Sequence, residues 1–170
     1  DYNAQVKRYN NTTGNSIITQ IQAQFDQLVH NVVKQINDAF APNVEISGDK
    51  VDLDGATTGT TEKGDAFDLT KLTNGTYMIL DVRNCPVGTD DNATIGTEVF
   101  SRGQVDRYQK ITLDSQIYTT DADGNQVGLA QKTVDADGNE TYTLYLYNEE
   151  NESDIDWMYT LNSLVINKDL

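Results

Sequence analysis

Few residues in this chain are of the kinds that carry chemistry by themselves. There is one histidine, His30, and one cysteine, Cys85, set among 27 acidic and 12 basic residues. Nucleophilic catalysis needs a nucleophile, a base and a group that orients the base. His30 stands between Val29 and Asn31 in a helical pattern, where a polar-face or boundary position is its plain reading. Cys85 precedes Pro86, and no basic residue lies nearer in sequence than Arg83 to draw off its proton. There is no Gly-x-Ser-x-Gly elbow and no glycine-rich phosphate loop after a strand. A carboxylate pair could serve a glycosidase, but among 27 acids pairs arise by chance on any surface. The residues therefore name no catalytic group, no cofactor site and no metal site, and an enzyme is not expected.

Two further patterns invite a reading. Asp121-Ala122-Asp123-Gly124-Asn125 recurs as Asp135-Ala136-Asp137-Gly138-Asn139. A calcium loop of the EF-hand type needs glycine at its sixth position and glutamate at its twelfth. Here glycine comes fourth and Lys132 occupies position twelve from Asp121, so the register fails. Asp-Gly between alternating runs marks a hairpin turn instead, because both residues tolerate positive φ. Arg102 and Arg107 form a compact basic pair in an acidic chain. They are expected to pin a loop by pairing with nearby carboxylates.

The elements that would position these residues begin with the balance of charge. A net charge of −15 repels phosphate backbones, so nucleic acid and anionic membrane are not expected as partners. Nine tyrosines and regularly spaced Ile, Leu and Val supply a core, which argues against disorder. A single cysteine rules out a disulfide framework. No run approaches the ~18 apolar residues of a membrane helix, no membrane insertion is expected, and no signal peptide is visible. With Asp1 first and Leu170 last, the chain reads as part of a longer protein. Asn10, Asn11, Asn74, Asn92 and Asn139 start N-x-T triplets and Asn151 an N-x-S triplet, a coincidence expected of so Asn/Thr-rich a chain.

One stretch dominates the pattern. From Ser16 to about Phe40, Ile18, Ile21, Phe25, Leu28, Val32 and Ile36 recur at steps of three and four, which is helical spacing near a heptad seam. Ile17, Val29 and Val33 widen the seam into a stripe suited to two neighbours. Asn15 or Ser16 is placed to cap the first turn, and Pro42 disfavours helix at Ala41. Such a helix of about 25 residues is a rod of roughly 37 Å. The stripe is either core against the sheet or part of a bundle whose other helices lie outside these residues. Asp1–Asn15 is polar and reads as a lead-in arm, with a short helix around Ala4–Tyr9.

After Pro42 the period changes to alternation. Short strands are expected at Val44–Ile46, Val51–Leu53, Thr76–Val82, Thr97–Ser101, Gln109–Leu113, Gln116–Thr120, Val127–Val134, Glu140–Tyr147 and Leu164–Ile166. Asp54–Gly64 and Arg83–Gly96 read as surface loops, and Asp154–Leu161 as one or two helical turns. The fold class is α+β: one long N-terminal helix with a mostly antiparallel β-domain. The division is 1–42, arm and amphipathic helix, and 43–170, a β-rich domain with DADGN hairpin turns and a final short strand.

The helix, taken with the end of the chain, resembles the central part of the flagellar hook-associated protein 1 family. That family has a helical segment of the type Q-x-Q-h-D-x-L, with h apolar, followed by an apolar residue and Asn. Gln22-Ala23-Gln24-Phe25-Asp26-Gln27-Leu28 and Ile36-Asn37-Asp38-Ala39-Phe40 are similar to it. Ser163–Leu170 resembles the start of the family's closing helical region. Gly96–Arg102 and Asp106-Arg107-Tyr108 resemble an insert found in members from clostridial gut bacteria. The resemblance touches about a third of the chain. It implies a structural, non-enzymatic protein that joins hook to filament, is exported without a cleaved signal peptide through the flagellar type III channel, and works outside the cell. The implied partners are other flagellar axial proteins and copies of itself, with an export chaperone as a further partner. Self-association would fall to Ile18, Ile21, Phe25, Leu28, Val32 and Ile36, unless the same stripe is core. The alternative is a bacterial cell-surface β-domain that binds glycan or host protein through Tyr142, Tyr145, Tyr147 and Tyr159.

Overall fold

The structure is a computed structural model that describes residues 2–89, 94–102, 105–148 and 157–167, with the backbone alone at 2, 3, 6 and 8–15. Helix α1 runs over Tyr2–Phe40, 39 residues and roughly 58 Å of rod. It starts well before Ser16, so the lead-in arm is helical and Asn15 and Ser16 lie inside the helix instead of capping it. Asn, Thr and Gly are poor helix formers. Propagating an existing helix is far easier than nucleating one, and the strong pattern after Ser16 supplies the nucleus. The other end follows the sequence. The Ala41 N–H closes the last turn on the Asn37 carbonyl at 2.7 Å, and Pro42 leads out.

Among the described residues eleven strands follow: β1 (Asn43–Ser47), β2 (Thr58–Thr61), β3 (Ala66–Asp68), β4 (Thr76–Leu80), β5 (Phe100–Ser101), β6 (Tyr108–Leu113), β7 (Tyr118–Thr120), β8 (Gln126–Gly128), β9 (Gln131–Val134), β10 (Glu140–Tyr147) and β11 (Val165–Ile166). The main sheet has the order β1-β4-β10-β6-β2-β3, with β9 paired to the first half of β10. Pairs β7–β8 and β5–β11 stand apart from it. Every strand pair among the described residues is antiparallel, so the chain is α+β as its pattern indicates. Several local expectations fail. The loop expected at 54–64 contains β2, β3 was not anticipated, and Val51–Leu53 makes only an isolated bridge from Asp52 to Tyr118. Gly- and Thr-rich β2 has no alternating apolar signal. It is a strand because Gly59 fits where a side chain would strike Ile111 and Leu113 of β6. Of the helical turns expected at 154–161, residues 154–156 lie outside the described residues.

Both DADGN segments are tight turns. Asp121 Oδ1 accepts the N–H groups of Asp123 and Asn125, Asp135 Oδ1 accepts those of Asp137 and Asn139, and Gly124 and Gly138 both sit at φ 84°. The Asn125 N–H bond lowers the Asp121 carboxyl from its usual 3.8, and the Asn139 amide and N–H do so for Asp135. A lowered folded value contributes stability that is present above the unfolded pKa and lost as pH falls through the folded one. The double variant Asp121→Asn, Asp135→Asn keeps the acceptors and removes the ionisation. Its urea midpoint should depend less steeply on pH between about 5 and 2 than that of the parent chain.

The larger core cluster lies on one face of the sheet, with Ile46, Leu69, Leu72, Ile79, Ile111, Leu113, Ile117, Leu129 and Leu144 all buried. A second, smaller cluster joins the end of α1 to the sheet: Ala41, Leu80, Cys85, Ile95, Tyr108 and Tyr145, with Phe40 against them. Leu144 and its neighbour Tyr145 point to opposite faces of β10 yet both are buried. The centre of the sheet is therefore covered on both sides. Gly96 lets its loop pass against the Phe40 ring, which any side chain there would strike.

Candidate functional site

The α1 helix uses its two faces in the opposite sense to the one its pattern suggests. Ile18, Ile21, Phe25, Leu28, Val32 and Ile36 are 41 to 58% exposed, and Ile17 with them. The stripe is not core. The face against the sheet is made by Asp26, His30, Val33, Asn37 and Asp38, of which His30, Val33 and Asn37 are buried. The two series are offset by one residue at most positions, about 100° around the helix. Val29 and Val33, which widen the stripe, lie toward the docked side.

Polar side chains do the docking, and each finds its partner far along the chain. Asn37 is fully buried. Its Oδ1 accepts the N–H groups of Val99 and Phe100 at 2.9 and 3.0 Å, and its amide donates to the Phe100 carbonyl at 2.8 Å. One asparagine thus substitutes for a neighbouring strand along this stretch. Asp38 holds Arg107 Nη2 at 2.6 Å, and Arg107, 1% exposed, also donates to the Tyr108 hydroxyl. Burial works against the Arg107 charge, but Tyr108 and Asp38 more than offset it, and the guanidinium is held protonated. Lys34 donates to the Tyr147 hydroxyl at 3.2 Å. His30 Nδ1 accepts the Tyr159 N–H at 3.3 Å with the two rings stacked, and Asp26 accepts the Leu161 N–H at 3.2 Å.

The arginine pair, expected to pin a loop through nearby carboxylates, is used differently at its two positions. Arg107 ties the sheet to the helix through a carboxylate, while Arg102 donates to the carbonyls of Trp157 and Asp106 at 3.1 Å with its guanidinium near the Trp157 and Tyr159 rings. Burial pushes the neighbouring Glu98 carboxyl up, against the pull of Ser101 and both guanidiniums. The four tyrosines of the glycan reading do not make an open platform. Tyr145 and Tyr159 are buried, Tyr147 is half-buried with its ring against Tyr108, and Tyr142 is half-buried with its hydroxyl on Glu140. His30, read as a polar-face residue, is a buried contact of the helix joint. No spacing rule marks it, since its partner is 129 positions away.

Cys85 lies in the second core cluster, 8% exposed. Burial, then Asp81, pushes its thiol up to about 11 from 9.0. Below pH 9 its thiolate fraction is roughly 100-fold lower than that of a free thiol. Native protein at pH 8 should react with iodoacetamide at least about 100-fold more slowly than the same protein in urea. Equal rates would place the thiol in solvent.

Among the described residues, no three His, Cys, Asp or Glu side chains gather as metal ligands, and no helix is long and apolar enough to cross a membrane. Charge is also partitioned. In residues 1–40, Asp1, Asp26 and Asp38 balance Lys7, Arg8 and Lys34, so the whole −15 belongs to residues 41–170. The outward stripe is an apolar line of roughly 27 Å from Ile18 to Ile36 within residues 1–40, which carry no net charge. Comparison with protein-family models, curated proteins and solved structures finds no match to this chain.

Proposed function

We propose that this chain is a structural part of the bacterial flagellum, the mid-portion of a hook-associated protein that joins hook to filament. The observation that carries the reading is the outward stripe Ile18, Ile21, Phe25, Leu28, Val32 and Ile36. A contiguous exposed apolar face of this length is the mark of an assembly surface, and its heptad-like spacing suits another helix. The occupant is the equivalent helix of a neighbouring copy, or that of another axial protein in the same wall. The charge distribution supports this, because contact through residues 1–40, which have no net charge, avoids the repulsion that −15 would impose on copies meeting through their β-domains. Resemblance of Gln22–Leu28 and Ile36–Phe40 to the hook-associated segment gives the assembly its name. On this reading the protein leaves the cell unfolded, without a cleaved signal peptide, and a lone cysteine leaves nothing to be cross-linked within the chain.

The test is deletion of the parent gene, followed by swimming assays and measurement of flagellin in the medium. Non-motile cells that shed unpolymerised flagellin are expected. Normal filaments and normal swimming would overturn the reading.

A further inference from the structure

A second surface lies at the opposite edge of the molecule's logic, on backbone rather than side chains. Among the described residues, strand β1 ends the order of the main sheet and pairs only with β4. The flanking bonds, Asp81 N–H to the Pro42 carbonyl and Gly48 N–H to the Gly75 carbonyl, set the phase of this ladder. In an antiparallel pair the bonded residues alternate, so Val44 and Ile46 bond to β4, and Asn43, Glu45 and Ser47 face away. The N–H groups of those three, and the carbonyls of Asn43 and Glu45, have no partner among the described residues. An open edge of this kind is a template for another strand.

Beneath the edge runs a groove of about 370 Å³, between β1 and the β7–β8 hairpin. Its apolar lining includes Val44, Ile46, Ile79, Val127 and Leu129. Lys50 and Asp121 also line it, while Asp81 is engaged by Arg83 at 3.6 Å and by Asn84. Val44 and Ile46 point to the groove side of β1 and Glu45 to the other, where it is exposed. A strand added to this edge would place alternate side chains in the groove and the others beside Glu45.

We propose that the free β1 edge and its groove bind an extended segment of a partner protein, with apolar residues alternating with lysine or arginine. The charge selects the occupant. A second copy pairing edge to edge would set Glu45 against Glu45, and like charges directly opposite destabilise a strand pair. A basic side chain there is attracted both by Glu45 and by a domain that carries the full −15. Backbone bonds would give affinity, and the alternation would give selectivity. This site is separate from the helix stripe, and its occupancy does not depend on what the stripe binds.

The test uses the whole chain, ¹⁵N-labelled, with a capped heptapeptide of alternating valine and lysine as probe. Saturating peptide should slow amide exchange of Asn43, Glu45 and Ser47 about tenfold or more. N-methylating the peptide on its edge-facing amides should weaken binding about tenfold. Glu45→Lys should weaken the lysine peptide about fivefold and make a valine–glutamate peptide the better ligand. Unchanged exchange at the three amides, equal binding of the N-methylated peptide, or perturbation confined to other acidic surfaces would each overturn the proposal.

Discussion

Full-length protein carrying Phe25→Asp together with Leu28→Asp is expected to lose self-association while its β-sheet unfolds in urea at an unchanged midpoint. Both side chains point outward, 48% and 56% exposed, so the fold has little to lose from them. An assembly that covers them would forfeit roughly 2 kcal/mol for each buried apolar side chain. Together that is about a thousandfold in affinity, before the cost of bringing two carboxylates into an apolar seam. Sedimentation of the full-length variant beside the parent measures the first effect, and urea unfolding measures the second. A lower urea midpoint would mean that the stripe is part of the core after all.

Asn37→Ala should act in the opposite way, on the fold rather than on assembly. Removing the amide strands two backbone N–H groups and one carbonyl of Val99 and Phe100 beside a side chain that is itself fully buried. Each orphaned group costs about 1–3 kcal/mol, so a loss of about 3–5 kcal/mol is expected after relaxation. Asn37→Leu keeps the volume and should be no better, which separates lost hydrogen bonds from a lost contact. Asn37→Asp retains both accepted bonds and should recover part of the loss. Trp157, the only tryptophan, lies against Arg102 close to the His30–Tyr159 contact. Its fluorescence reports on whether the helix stays docked. A change below about 1 kcal/mol would show that water reaches these groups and that Asn37 is not the clasp.

These variants also separate two readings of a single helix. If the stripe is an assembly face and the Asn37 side a docking face, the aspartate pair changes the state of association and Asn37→Ala changes stability. A single role for the helix would make the two respond together. The neutral charge of residues 1–40 matters here, because aspartates placed on the stripe introduce repulsion where the chain has none.

Much of the secondary structure is legible in the pattern, and the misses have causes. The alternation of Glu140–Tyr147 and the Asp-Gly turns identify β9–β10 and its neighbours, since period and turn chemistry are local properties. Strand β2 escapes because its residues, TGTT, have no apolar phase and acquire order only by pairing with β3 and β6. Residues 1–15 read as an arm because Asn, Thr and Gly have low helix propensity, which is outweighed once the helix that follows propagates back into them.

The candidate site divides along the same line. That residues 16–40 form a helix with an apolar stripe, that Pro42 ends it and that the chain is acidic and β-rich are settled by the sequence alone, because spacing, composition and proline geometry need no distant contact. Which side of the helix meets the sheet is a tertiary decision. It rests on Asn37 with Val99 and Phe100, Asp38 with Arg107 and His30 with Tyr159, pairs 62 to 129 residues apart with no signature in local periodicity. Buried polar groups must find partners, and among the described residues those partners lie on one side of the helix. That constraint turned the polar face inward and left the apolar one exposed.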